Sequence, residues 1–296
     1  MNIPQGYKQT ELGIIPEDWE VKPIGECLSI GNGCDYKDKP FGNIPVYGTG
    51  GVITYINDYL YDGQTICIGR KGTINKPLYY EGKIWTVDTL YYTYNFIDVD
   101  VKYIYYLLLT IDWMSLNEAT GVPSLTSDRI RHILLALPPV AEQRAIAEAL
   151  SDIDGLIAAL DKKIAKKRLI KQGAMQQLLT GKKRLPGFSG PWMERKLGAI
   201  SHIKTGSCNG DQAVDNGKYP FFVRSQKVYA IDSYSYDGEA ILVPGEGGIG
   251  SIFHYINGKF DYHQRVYKIS DFADNVCGKY IFFYMSRYFG EYALSL

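Results

Sequence analysis

Residues 138–184 read PPVAEQRAIAEALSDIDGLIAALDKKIAKKRLIKQGAMQQLLTGKKR, and the rest of the chain is organised around this stretch. Pro138 and Pro139 stand ahead of it and Gly181 closes it, the asymmetry expected of a helix with proline at its start and glycine past its end. Between them Ile146, Leu150, Ile153, Ile157, Leu160 and Ile164 recur at steps of four and three. That spacing makes a narrow coiled-coil seam rather than the broad stripe of a globular helix. The phase slips at Lys167 and Lys171, and Ala174 and Leu178 restore it. The pattern predicts one helix over 140–180, roughly 60 Å long at 1.5 Å per residue. A helix of that length is a spacer that needs a partner helix.

Its charges are sorted. Glu142, Glu148, Asp152, Asp154 and Asp161 occupy the first half against Arg144 alone, whereas 162–184 holds nine basic residues and no acid. Such an order compensates the helix dipole. It also makes the helix complementary to an antiparallel copy of itself, the reading that the apolar seam favours.

The sequences on either side of the spacer repeat one another. Trp19, Gly25, Ile30 and Gly33 match Trp192, Gly198, Ile203 and Gly206. Ile44–Tyr47 matches Tyr219–Phe222, Tyr61-Asp62-Gly63 matches Tyr236-Asp237-Gly238, Gly82-Lys83 matches Gly258-Lys259, and Lys102-Tyr103-Ile104 matches Lys279-Tyr280-Ile281. So many small features in one order indicate two copies of one domain. In each copy, short β-branched and aromatic runs alternate with Asp-Gly, Gly-Lys and Gly-Gly pairs, which predicts an antiparallel, hairpin-rich sheet turning at those pairs. A helix follows, over 101–109 in the first copy and 278–288 in the second. The first copy continues through Ala119–Leu125 and Ile130–Leu137. Leu296 falls near the counterpart of Ala119, so the second copy is expected to be incomplete.

Composition sets bounds. The 296 residues are 46% hydrophobic and 22% charged, with 32 basic and 32 acidic side chains, enough for two cored domains and silent about nucleic acid. The five cysteines form no CxxC pair, and no apolar run reaches the eighteen or so residues of a membrane span, so a reduced cytoplasmic setting is expected. No phosphate-binding GxxxxGK[ST] loop and no G-x-S-x-G elbow is present. Gly245–Gly250 fits GxGxxG, but aromatic, strand-like residues follow it rather than a helix that could hold a pyrophosphate. Asp62 with Glu81 and Lys83 has the skeleton of a metal-dependent nuclease site, the one enzymatic alternative; Glu-Gly-Lys is also an ordinary turn, and the second copy reads Asn257-Gly258-Lys259. The histidines show no ligand spacing, so no metal is expected.

The copies agree on structural residues and differ on polar ones. Gly48-Thr49-Gly50-Gly51 gives way to Val223-Arg224-Ser225-Gln226, Arg70-Lys71 to Gly245-Glu246, and Asp88-Thr89 to Gln264-Arg265. These are residue types that read base edges in a groove. Thr49, Arg70, Lys71 and Thr89 in one copy, and Arg224, Ser225, Gln226, Glu246, Gln264 and Arg265 in the other, are therefore the candidate DNA-binding residues. Exposed loops also vary freely after duplication, so the pattern alone does not decide between the two.

Three further stretches carry a resemblance: Gly6–Trp19 (GYKQTELGIIPEDW), Leu137–Ile146 (LPPVAEQRAI) and Gln177–Gly181 (QLLTG). Across its whole length the chain resembles the specificity subunit of type I restriction–modification systems. The resemblance implies an α+β fold with two target-recognition domains, 1–138 and 184–296, joined by a spacer helix over 139–183, the second domain lacking its end. It implies that each domain reads one half of a bipartite site in double-stranded DNA. It places methyl transfer with S-adenosylmethionine on modification subunits, and ATP, magnesium and cleavage on partner subunits, leaving this chain non-catalytic and without a cofactor. With no second helix in the sequence, a homodimer through Ile146–Ile164 is expected.

Overall fold

The computed structural model describes residues 3–294, which divide into two compact units at the boundary between Leu160 and Asp161. The first opens with a hairpin, β1 (Tyr7–Thr10) and β2 (Gly13–Pro16), then β3 (Glu20–Pro23), the single turn α1 (Ile24–Cys27) and β4 (Ser29–Asn32). There follow β5 (Phe41–Gly48), β6 (Gly51–Ile56), β7 (Tyr61–Gly69), β8 (Leu78–Thr86) and β9 (Leu90–Tyr94), then α2 (Val101–Leu109), α3 (Ser127–Arg131) and β10 (Leu134–Leu137). The long helix α4 (Val140–Leu178) is continuous, and the division between the units falls inside it. The second unit contains α5 (Leu197–Ile200), β11 (His202–Thr205), β12 (Tyr219–Phe222), β13 (Tyr229–Ile231), β14 (Tyr236–Pro244), β15 (His254–Tyr262), β16 (Val266–Ser270) and α6 (Gly278–Leu294).

Each unit is built on a six-stranded sheet. The orders are β4-β9-β7-β8-β5-β6 and β11-β16-β14-β15-β12-β13, the same topology strand for strand. Both are antiparallel except at one place, where β5 runs parallel to β8 (Val46 opposite Trp85) and β12 runs parallel to β15 (Phe221 opposite Asp261). An all-antiparallel reading misses that pair, because two strands separate the partners in sequence, β6 and β7 in one unit and β13 and β14 in the other.

The sheets also correct the turn assignments. Gly63 faces Gly82 in the middle of β7 and β8, and Gly238 faces Gly258 in the middle of β14 and β15. All four have positive φ, which only glycine adopts without strain, so the paired glycines sit at a kink shared by two strands. Asp62-Gly63 and Gly82-Lys83 are therefore not hairpin turns. The connections lie elsewhere, at 49–50, 70–77 and 87–89.

The core of the first unit gathers Ile24, Ile30, Ile66, Ile68, Ile104, Leu108, Trp113, Leu125, Ile130 and Leu135 between sheet, helices and β10. The root of α4 joins it. Ala147 is buried there and Ile146 packs against it, so Ile146 belongs partly to this core rather than to a free seam. Gln143 is buried as well: its Nε2 donates to Pro138 O at 2.8 Å, and its Oε1 accepts from Asp100 N at 2.9 Å. Tyr106 Oη, one turn into α2, donates to Asp154 Oδ2 at 2.8 Å and tethers the next two turns of the helix. From Leu150 to Ile164 the seam side chains are 41–55% exposed. At its other end α4 stops at Leu178, and Gly181 just beyond has a positive φ that lets the chain turn back against Trp192. In the second unit α6 runs six residues beyond the expected Tyr288 and packs Ile281, Met285 and Phe289 on β14 and β16.

Candidate nucleic-acid interface

The polar loops that differ between the copies converge at one end of each sheet, and the same backbone bonds hold both sets. In the first unit Val87 N donates to Tyr47 O at 3.0 Å and Arg70 N to Thr89 O at 2.8 Å. Their counterparts in the second are His263 N to Phe222 O at 2.9 Å and Gly245 N to Arg265 O at 2.9 Å. Loops after β5, β7 and β8, and after β12, β14 and β15, are thus fixed beside each other by main chain, while their side chains are free to differ. A fourth segment crosses the same end. Gly33 and Gly206 lie so close to the carbonyls at Thr86–Val87 and Tyr262–His263 that a Cβ would overlap them. The chain leaving each glycine is pinned there, with Cys34 N donating to Thr86 O and Gln264 N donating to Cys208 O, both at 2.9 Å.

In the first unit this end carries Thr49, Arg70, Lys71 and Thr89. Arg70 is exposed, its Nη1 donates to Asp88 O at 3.3 Å, and its guanidinium lies 5.8 Å from the Tyr91 ring centroid. Lys71 bridges to Ser124, and Leu125 N donates to Arg70 O at 2.9 Å, so the segment 117–125 is laced to this end. Asn117 shapes that segment: its Oδ1 accepts from Ala119 N and Ser124 N. Sequence reading passed over 117–125 because nothing in the second copy corresponds to it.

In the second unit Arg224 and Arg265 both donate to Glu246 Oε1, bringing three candidate residues from three loops to one point. The two arginines, Arg265 foremost, hold the Glu246 carboxyl below its usual range. All three side chains stay substantially exposed, so the guanidinium faces not spent on Glu246 remain available. Gln264 Nε2 donates to Asn209 Oδ1 at 2.8 Å, and Ser225 O is bonded to His254 Nε2 at 2.9 Å. Gln226 is exposed at the rim. Beneath the arginines His263 is buried, with Nδ1 accepting from Arg265 N at 3.0 Å. Burial, and then the charges of Arg224 and Arg265, push its pKa down, so it is held neutral. An open concavity of about 430 Å³ lies here, lined by Val223, Arg224, Ser225, Tyr229, Gly247 and His263 among others. Sequence reading missed His263 and Asn209, one beside the candidate Gln264 and one in the segment after Gly206; the matched glycines Gly33 and Gly206 were the available signal.

The nuclease alternative places differently. Asp62, Glu81 and Lys83 lie on exposed mid-strand positions, away from this end. Asp62 stands opposite Lys83, Tyr79 Oη donates to Glu81 Oε2 at 3.1 Å, and Lys83 Nζ sits 4.7 Å from the Tyr59 ring centroid. No group of three acidic, histidine or cysteine side chains able to hold a metal occurs among the described residues. The glycine-rich segment Gly245–Gly250 leads into strand β15, not a helix.

A model of the type I restriction modification DNA specificity domain matches residues 16–167, more than half of the 296. The chain belongs to the type I restriction–modification specificity family. Among curated relatives, the type I restriction enzyme MjaVIII specificity subunit of Methanocaldococcus jannaschii is 28% identical over 276 residues, covering 84% of this chain and 60% of that protein. The type I restriction enzyme EcoDI specificity subunit of Escherichia coli is 37% identical over 78 residues, 26% of this chain and 17% of that one. The chain spans about half the length of the curated relatives it matches. In fold, it is similar to the crystal structure of the type I restriction–modification system S subunit from M. genitalium, with a TM-score of 0.74 at 14% identity over 100% of this chain and 82% of that one. The specificity-family fold thus consists of two α+β domains and a long helix between them. No helix among the described residues is long and apolar enough to cross a membrane.

Proposed function

We propose that this chain is the DNA-reading subunit of a type I restriction–modification complex. The observation that carries the reading is the duplication itself. One scaffold occurs twice, with the same backbone bonds gathering loops at the same sheet end, and the side chains on those loops differ. A scaffold that fixes loop position while freeing loop identity is what reading two unlike half-sequences requires. Arg224, Gln226, Glu246, Gln264 and Arg265 read one half-site; Thr49, Arg70, Lys71 and Thr89, with their neighbours at 117–125, read the other. Arginine is suited to guanine through two parallel hydrogen bonds, and the remaining amide, carboxylate and hydroxyl groups suit the other base edges.

On this reading the chain carries no chemistry and no cofactor. Modification subunits bring S-adenosylmethionine and the restriction subunit brings ATP and magnesium, in the cytoplasm. The exposed seam of α4 from Leu150 to Ile164 pairs with the same seam of a second copy, and the acidic-then-basic charge order favours the antiparallel arrangement about a two-fold axis. The test is selection from random duplexes by the protein assembled with modification subunits. A bipartite consensus with a fixed gap is expected. Enrichment of a single continuous motif, or of none, would overturn the reading.

A further inference from the structure

The loop end of the second unit holds a carboxylate bonded by two guanidinium groups. Arg224 follows β12, Glu246 follows β14 and Arg265 follows β15, and both arginines donate through Nη1 to the same Glu246 Oε1. The matching positions of the first unit hold Thr49, Lys71 and Thr89, which cannot form such a cluster. Main chain fixes all three loops before any partner arrives. His263 N donates to Phe222 O, Gly245 N to Arg265 O, and Arg265 N to His263 Nδ1. The arginine side chains are 43% and 55% exposed, so each is open to a ligand beyond Glu246.

The charge balance argues for a base edge rather than a phosphate. The arginines hold the Glu246 carboxyl below its usual range, so at neutral pH it is ionised and can only accept hydrogen bonds. A phosphate drawn to either arginine would meet that negative charge beside it. A neutral base edge meets no such repulsion. Each guanidinium keeps enough N–H donors, after bonding Glu246, for a two-pronged contact. In the major groove only guanine offers such a fork two adjacent acceptors, O6 and N7, and cytosine N4 offers the donor that a carboxylate takes. The shared oxygen also sets the spacing. Two nitrogens bonded to one oxygen at about 2.8 Å each lie no more than about 5.6 Å apart. That is less than two base steps of about 3.4 Å. One guanine edge takes one fork, so the two arginines address neighbouring base pairs.

Resting on the DNA-reading function of the chain, we propose that Arg224, Glu246 and Arg265 together read two adjacent G·C pairs in the major groove. Each arginine takes one guanine through O6 and N7, and Glu246 Oε2 accepts from a cytosine amino group. Glu246 is thus a base reader in its own right as well as the group that sets the distance between the arginines. The half-site of the second domain contains this pair of G·C pairs, and that of the first domain is read by different chemistry.

Selection from random duplexes by the protein assembled with modification subunits gives the consensus. Exchanging residues 20–137 for those of a relative then shows which half-site the second domain retains. That half should contain two adjacent G·C pairs. Replacing either guanine by 7-deazaguanine removes the N7 acceptor, leaves every phosphate in place and does not touch the protein's folding; it should weaken binding about tenfold. Arg265→Ala should abolish that sensitivity at one guanine and Arg224→Ala at the other. Glu246→Gln ends the acceptor-only character of the side chain and should relax the choice of cytosine in that half, with the other half unchanged. A retained half-site without adjacent G·C pairs, or 7-deazaguanine without effect at both positions, would overturn the proposal and leave a bipartite DNA-reading function standing. Arginine variants that lose affinity evenly across sequences and flatten the salt dependence would assign the cluster to phosphates and overturn it as well. Absence of any consensus would remove the DNA-reading function itself, and the proposal with it.

Discussion

At the scale of residues, the second unit's loop end depends on how three charges share one point. Glu246 fixes Arg224 and Arg265 in place, and a preorganised guanidinium loses less freedom when it meets a base. Arg224→Ala and Arg265→Ala should each cost roughly 1–3 kcal/mol and relax one base position if the contact is to guanine. If the contact is to phosphate, affinity should fall evenly across sequences and the salt dependence should flatten. Binding titrations on single-base variants of the site at two salt concentrations separate these outcomes. His263 gives a pH signature. Its pKa in the folded protein is lowered from 6.5, so the unfolded chain takes up the proton first. The contribution to stability is complete above about 6.5 and is lost as pH falls through the folded value. Thermal unfolding of the protein between pH 7.5 and 5 should show a drop that His263→Gln reduces.

At the scale of elements, α4 behaves as two things. Its first turns are a structural root: Gln143 satisfies Asp100 N and Pro138 O from a fully buried position. Gln143→Leu leaves both groups buried without partners and should cost about 1–3 kcal/mol, measurable by denaturant unfolding. Its middle is a surface. Burying one side chain of the size of Ile153, Ile157 or Leu160 is worth about 1.5–3 kcal/mol, enough for several together to hold a dimer against the entropy of association. Light scattering at micromolar concentration should give a dimer, and Ile153→Asp with Leu160→Asp should give a folded monomer. A wild-type monomer, or a dimer indifferent to that pair of substitutions, would overturn the homodimer. The slip of the seam at Lys167 and Lys171 limits how far the pairing can extend.

At the scale of the whole molecule, the two six-stranded sheets have separate cores, so their loops should be exchangeable. Replacing residues 20–137 by the same region of a relative should change one half of the methylated site and leave the other half and the spacing intact. Methylation mapping in a host carrying matching modification subunits reads this directly. A change in both halves would mean that the copies do not read independently.

The division between what was legible in the sequence and what was not follows from the range of the forces. The helix, its ends and the duplication were legible because each rests on local spacing: the steps of four and three from Ile146 to Ile164, the prolines at 138–139, Gly181, and features recurring in one order. The helix α2 over 101–109 followed from the same kind of evidence. The position of the turns was not legible. Asp62-Gly63 and Gly82-Lys83 carry turn chemistry, but pairing across β7 and β8 overrides it with a shared kink. The parallel β5–β8 pair, the contact of Gln143 with Asp100 and the convergence of Arg224, Glu246 and Arg265 join residues from 19 to 43 positions apart. The sequence by itself determined that one domain occurs twice around a helix. Only the tertiary structure decided which loops share an end and which seam residues are spent on a core, because those depend on contacts between distant segments that no local pattern encodes.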